Sequence, residues 1–519
     1  MAEKKASPRR LRKWHAAVGL LVCTGAVATA VLVAGTGEPA TAPYDFNGDG
    51  KPDLAIGLPG NAVSGHAAAG SVVIANGTAS GPASTSVRID QESPGVPGAA
   101  EDDDSFGQAF ASGDFDNDGH ADLAIASPLE AVDTTEGAGM LTVHYGSSGG
   151  LYDSRTDVFT EDTTGMPGAV GRDELFAYSL AAGDLNGDGY SDLAIGQPLD
   201  LAGGDSNAGS IKVMFGSASG LTAGSTVWLD QSTANVPGTP EPGDRFGEQI
   251  AIGDINGDGT QDLVSATIGE QISGSSDRGS IHVLYGPITD APASGGYLDS
   301  GNVTGIGEFA GSALALGHFN DDPYTDVAIG VSDQKVVEDG AAGRLAVVYS
   351  DAEGLSTDRV ELFDQDTPGI AGAPEQEDYF AASLASGDFD GDGVDDLVAG
   401  MRSEAIGSTK GAGASLVLFG NATGGISTSG ALWIDQDTAG VPGVVATADH
   451  FGWTVGALDT DGNGRVEPLI GAPGNAAGTV TVLEAAPGTL ESATALAEGD
   501  LGWSAGSDGD AFGIALPAP

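Results

Sequence analysis

The stretch DLNGDGYSDLAIG, beginning at Asp184, carries oxygen-bearing side chains at its first, third, fifth and ninth positions, with glycine at the sixth. That donor set suits a hard cation. Ca2+ takes roughly six to eight oxygens at about 2.3–2.6 Å, and a turning backbone can place alternate residues on one side. In this loop the donors are Asp184, Asn186, Asp188, the carbonyl of Tyr190 and the closing carboxylate of Asp192. The sixth position must bend sharply, and glycine accepts the positive φ this requires. An EF-hand loop opens in the same way, but its closing acid comes three residues later and a helix follows. Here the apolar run LAIG follows, so the loop belongs to a β-hairpin. Mg2+ is less suited because it keeps its waters.

The pattern recurs. The other loops that keep it supply Asp45, Asn47, Asp49, Lys51 and Asp53; Asp114, Asp116, Asp118, His120 and Asp122; and Asp254, Asn256, Asp258, Thr260 and Asp262. Further on come Asp388, Asp390, Asp392, Val394 and Asp396, and then Asp459, Asp461, Asn463, Arg465 and Glu467. In each set the fourth-named residue contributes its backbone carbonyl. Asp, Asn and Gly also make good turns without an ion, but six copies in one register favour metal binding, with about six Ca2+ per chain. The fifth copy, HFNDDPYTDVAIG, departs: His318 replaces the first Asp and Pro323 stands where glycine should be. Proline fixes φ near −65° and cannot make that bend, so this loop is expected to be empty or weakly occupied.

The loops begin at residues 45, 114, 184, 254, 318, 388 and 459, with spacings of 69, 70, 70, 64, 70 and 71 residues. A regular period of this size marks a repeat architecture. Each unit has a Phe upstream, as in SFGQAFASGD, and an alternating apolar strand downstream, as in GSIKVMFG. A further short strand often ends in Asp-Gln, as in TVWLDQ and ALWIDQ. That makes about four short strands per unit, bounded by Gly and Asp turns, with no convincing helical period in the body. The fold expected is all-β: a seven-bladed β-propeller of four-stranded antiparallel blades. The chain ends favour a ring over a linear solenoid. The first loop lacks its upstream Phe strand, while Phe512-Gly513 stands near the end with no loop after it. The C-terminal Phe-Gly strand should therefore complete the first repeat.

The chain has 519 residues and a net charge of −55, too long for one ordinary core. Beyond residue 42 the balance is 13 basic to 72 acidic residues, which argues against nucleic acid and anionic lipid as partners. Residues 1–42 read as an export signal or N-terminal membrane anchor, with the basic KKASPRRLRKWH before an uncharged run from Ala16 to Gly35. The Sec route fits better than the twin-arginine route, although Arg9-Arg10 is present. The body, 43–519, should lie outside the cytoplasm, secreted or at the cell surface, touching membrane only through an uncleaved N-terminal segment. The sole cysteine, Cys23, falls in that segment, so the body has no disulfide to brace it. Bound cations would serve as braces instead.

Phe-Gly, the Asp loop and then Gly-x-Pro make up a recognisable signature. GAP itself stands at Gly471-Ala472-Pro473, with variants at Gly57-Leu58-Pro59, Gly196-Gln197-Pro198 and Ala126-Ser127-Pro128; the fourth, fifth and sixth units lack the proline. The body resembles the FG-GAP repeat family, as found in the β-propeller of integrin α subunits. The resemblance implies seven blades, Ca2+ in hairpin loops on one face, and protein or glycan binding through loops on the other. The ligand-contacting positions do not carry over. A related propeller is attached to glycosylphosphatidylinositol-specific phospholipase D, where a separate domain would hold the catalysis. No spacing here leaves room for such a domain or for an inserted adhesion domain, so the chain is expected not to be an enzyme. Gly146–Gly150 matches G-x-S-x-G, but that motif needs a following helix, and a turn and strand follow here. The reading is an extracellular Ca2+-binding module for protein or glycan ligands. The alternatives are a secreted hydrolase with its site in the central channel, or a structural surface protein. Trp228 and Trp433, matched before Asp-Gln, are read as packing residues.

Overall fold

A computed structural model describes residues 42–152, 155–271, 279–303, 306, 311–332, 335–337, 340–475, 478–503 and 512–517. The export segment therefore lies almost wholly outside the described residues. Among those described, no helix is long and apolar enough to cross a membrane.

The repeats fold as seven small antiparallel sheets arranged as the blades of a propeller. The third blade is typical: Ser179–Gly183 lies innermost, followed outward by Asp192–Gln197, Ser210–Met214 and Val227–Leu229. The first three strands of each complete blade are buried almost throughout, whereas the outermost is partly exposed. The inner strands are buried because each sheet is covered by a neighbouring blade on either side. That is why runs such as Leu54–Leu58, LAIGL, are continuously apolar instead of alternating. One further two-stranded hairpin, Lys335–Val337 with Gly340–Ala341, was not anticipated.

The first blade differs as the chain ends suggested. It has three strands of its own, Leu54–Leu58, Ser71–Ala75 and Ser86–Ile89. The innermost place is taken by the C-terminal segment, where Ala515 pairs antiparallel with Gly57. Phe512, Ala515 and Leu516 share one buried apolar cluster with Phe46, Leu54 and Ile56 from the first repeat and Leu469 and Val480 from the last. The pairing residue is thus Ala515; Phe512 itself forms a parallel bridge to Gly478 of the seventh blade.

That bridge recurs around the ring, at Gly70–Phe106, Gly343–Phe380 and Gly413–Phe451. The Gly of the GAP element must also be small. A Cβ on Gly471 would sit 2.2 Å from the carbonyl oxygen of Gly513, and one on Gly196 2.2 Å from that of Gly247. The Phe-Gly and Gly-x-Pro elements are therefore two halves of one inter-blade contact. Buried tyrosines add latches on the other side. The Tyr145 hydroxyl accepts the N–H of Leu221 at 3.0 Å, and that of Tyr349 accepts the N–H of Ile426 at 2.7 Å.

Candidate metal-binding loops

Each Asp loop after the first joins the innermost strand of a blade to the next, and the loop at Asp45 leads directly into Leu54–Leu58. In the second blade, Phe110–Gly113 leads into the loop and Asp122–Ser127 leaves it. The loop is wound by its own side chains. Asp114 accepts the backbone N–H of Asp118 at 3.1 Å and of Gly119 at 3.1 Å, and Asp118 accepts that of His120 at 3.0 Å. The same contacts hold the loops at Asp45, Asp184, Asp254, Asp388 and Asp459. These bonds use the first and fifth side chains to wind the turn, and each carboxylate keeps lone pairs beyond those the turn uses.

The ninth residue has a second role that local spacing does not reveal. Asp122 is fully buried, and its oxygens accept the N–H groups of Phe115 and Gly146, each at 2.8 Å. Asp53, Asp192, Asp262 and Asp396 do the same toward Gly77, Gly216, Gly286 and Gly420. Glu467, one methylene longer, accepts the N–H and hydroxyl of Thr460, each at 2.7 Å. The closing aspartates thus tie their loops to the end of the third strand, whereas Glu467 bonds within its own loop.

Three loops bring carboxylates together so that ligand oxygens lie within 4.8 Å of one another: Asp114, Asp116 and Asp122; Asp388, Asp390 and Asp396; and Asp459, Asp461 and Glu467. Each has an acid at the third position. The loops at Asp45, Asp184 and Asp254 carry Asn there instead, which offers a neutral oxygen. The three acidic clusters could hold a metal ion such as Ca2+. The donors fit: all are hard oxygens, and the Oδ1 atom of Asp116 is buried without a hydrogen-bond partner among the described residues. Electrostatics agree. Burial pushes the Asp122 carboxyl up to about 8, and Asp116 and Asp114 add to the rise. Burial likewise raises Asp396 to about 8, and Asp53, Asp192, Asp262 and Glu467 to about 7. Such crowding is relieved by a proton or by a cation.

The fifth loop is built differently. His318 Nδ1 lies 3.0 Å from the carbonyl oxygen of Tyr324, so the ring engages the carbonyl that the other loops leave for an ion. Asn320 and Asp326 keep their places, joined by a 3.1 Å hydrogen bond. The seventh-position side chains stay beside their loops: Lys51 Nζ is 3.9 Å from Asp49, and His120 Nδ1 is 3.0 Å from Asp118. Arg465 instead reaches Glu491 at 2.8 Å and donates to the carbonyls of Phe389 and Ala485.

Other candidate features resolve into structure. Gly146–Gly150 is a hairpin turn between Met140–His144 and Thr156–Phe159, with Ser147 Oγ donating to Gly150. Trp433 donates from Nε1 to Asp435 at 3.0 Å, and Trp228 packs against the ammonium of Lys212. The Asp-Gln strand ends carry a contact that was not foreseen. Gln91, Gln231 and Gln365 donate to Glu130, Glu270 and Glu404 of the following blade at 2.6, 2.7 and 2.8 Å.

Together these features define a closed seven-bladed β-propeller with Asp-rich hairpin loops. The FG-GAP repeat family matches residues 39–74, 106–144, 176–214, 246–284 and 380–418. The chain is an FG-GAP repeat protein, distantly similar to integrin α subunits and to the phosphatidylinositol-glycan phospholipases. It is 32% identical to phosphatidylinositol-glycan-specific phospholipase D of Bos taurus over 31% of this chain and 18% of that one. It is 29% identical to integrin alpha-PS2 of Drosophila melanogaster over 36% of this chain and 12% of that one. Integrin alpha-V of Gallus gallus is 31% identical over 39% and 18%, respectively. The matched stretch spans less than a fifth of each relative's length.

Proposed function

We propose that this chain is an extracellular, Ca2+-stabilised binding module that engages a protein or glycan and carries no catalysis of its own. The observation that carries the metal reading is the second loop, where Asp114, Asp116 and Asp122 converge around a buried, unpartnered carboxylate oxygen. Asp114, Asp116, Asp118, Asp122 and the carbonyl of His120 would hold the ion there, and the equivalent residues would do so in the five other loops that keep the pattern. When bound, the ion supplies charge neutralisation and a cross-link within the loop. Because such a site exists only in the folded chain, occupancy stabilises the fold by mass action. The binding role is supported by the family. The Asp loops join first to second strands on one face, and the loops that join second to third strands lie on the other.

The test is a glycan and matrix-protein array probed with the purified body in Ca2+ and in EDTA. Selective, Ca2+-dependent capture is expected. Absence of any selective capture by protein that carries its full complement of Ca2+ would overturn the binding-module reading.

A further inference from the structure

The third and fourth blades carry the same side-chain cage at the ends of their strands away from the Asp loops, and only one cage is filled from within. In the third blade Lys212, completely buried, puts its ammonium 3.0 Å from Glu161 and 3.6 Å from Asp200. It also donates to Oε1 of Gln197 and sits 4.6 Å from the ring centre of Trp228 and 5.6 Å from that of Phe176. One repeat further on, the register places Gln231, Glu270, Tyr297 and Phe246 at the places of Glu161, Asp200, Trp228 and Phe176. The lysine is replaced by His282, which packs edge-on to Phe246 at 5.5 Å and stacks with Tyr297 at 6.2 Å.

The imidazole is shorter than the lysine chain, and a cavity of about 260 Å³ opens beside it. Its walls include Glu270, Ser280, His282, Tyr297 and Asp299, with Gly238 and Gln271 completing them. His282 is 1% exposed; Nε2 faces Ser280 Oγ at 2.7 Å, and Nδ1 has no hydrogen-bond partner among the described residues. Burial lowers the His282 pKa to about 4, so the ring is neutral at physiological pH and brings no charge of its own. Glu270 Oε2 lies 4.0 Å from Nε2. The cavity is thus lined by two carboxylates, an imidazole and a half-exposed aromatic face, with no cationic group among its lining residues.

We infer that this cavity is a binding site for a compact primary ammonium group, such as a lysine side chain presented by a partner. The third blade shows what such a cage holds: an ammonium donating to carboxylates while lying against an aromatic face, an arrangement that gains from both ion pairing and the ring quadrupole. The fourth blade keeps an acid, an aromatic ring and a neutral acceptor, and among the described residues no cation of the chain's own lines the cavity. The inference deepens the binding-module reading by naming a ligand chemistry, and it rests on that reading only in taking the face away from the Asp loops as the one that engages ligands.

The test uses the full Ca2+-loaded chain, titrated calorimetrically with n-butylammonium at neutral pH. One saturable site is expected, with no binding of n-butanol or n-butyrate. His282→Lys would place the chain's own ammonium in the cavity, as Lys212 does next door, and binding should weaken at least roughly tenfold. Glu270→Gln should weaken it similarly, and it carries the test should His282→Lys fail to fold. No saturable binding by the wild type, or unchanged affinity in Glu270→Gln, would overturn the inference. So would uptake of Zn2+ at His282 that n-butylammonium cannot displace. A wild type that ignores n-butylammonium yet captures a ligand on the array would refute this pocket and leave the binding module standing.

Discussion

The backbone N–H of Gly57 donates to the carbonyl of Ala515 at 3.0 Å, so the first blade takes its innermost strand from the far end of the sequence. A second bond, from Ala457 N–H to Pro517 at 2.9 Å, fixes the same segment to the seventh blade. These contacts turn a row of repeats into a ring. Phe512 is fully buried at this seam. Phe512→Ala should therefore cost about 3–5 kcal/mol, as for a large ring removed from a packed core. Gly471→Ala should be harmful as well, because its Cβ would meet the Gly513 carbonyl, which cannot swing aside, as well as the Thr454 side chain. Chemical denaturation checks both; midpoints matching the wild type would show that the seam contributes little.

Within one loop, two acids should behave differently. Asp122 accepts two backbone N–H groups and links the loop to Gly146, whereas Asp118 is exposed and bonds to the N–H of His120 within the turn, with oxygen left over for an ion. Asp122→Ala should cost about 1–3 kcal/mol even in EDTA, because it leaves buried donors unpaired. Asp118→Ala should lose stability chiefly when Ca2+ is present. Equal losses for the two variants in EDTA would contradict this division of roles.

Without metal, the buried carboxyls set a pH dependence. Burial raises Asp122 and Asp396 to about 8, and Asp53, Asp192, Asp262 and Glu467 to about 7. The folded chain then holds more protons than the unfolded chain between about pH 4 and pH 8, so stability falls as pH rises through that window. EDTA-treated protein should melt higher near pH 5 than near pH 8. The difference should survive high salt, which screens surface repulsion. Ca2+ should reverse the trend, because its binding displaces protons. Metal-free protein that melts higher near pH 8 would refute the assignment.

Lys212 offers a test of a different kind. Its ammonium is the counter-charge for Glu161 and Asp200, all three being buried. Lys212→Met keeps the bulk and removes the charge, stranding two carboxylates. The expected cost is about 3–5 kcal/mol at neutral pH, recovered in part as pH falls and the acids protonate. A variant as stable as the wild type at neutral pH would show that the cage relaxes or hydrates freely.

Much of this architecture is legible in the sequence because the repeat writes it seven times. The Asp turns, the apolar LAIG strands and the missing Phe before Asp45 each imply a local structure, and the period turns them into blades. Lys212 was not legible, for a physical reason. In GSIKVMFG it reads as the polar position of a half-exposed strand, an inference that assumes a wet face. Propeller blades cover both faces of the third strand, so the lysine is enclosed. The tie from Asp122 to Gly146 was hidden for a related reason: it joins residues on different strands, and loop spacing specifies only the side facing the ion. The Gln-to-Glu contacts between blades were marked by the recurring Asp-Gln, but their partners lie in the next repeat.

The most direct test of the central claim is metal content by mass spectrometry on the purified body, paired with thermal melting before and after EDTA. The six loops that keep the pattern should yield about six Ca2+ per chain, and chelation should lower the melting temperature sharply. Protein free of bound Ca2+, with a melting temperature that EDTA leaves unchanged, would mean that the Asp loops are turns and nothing more.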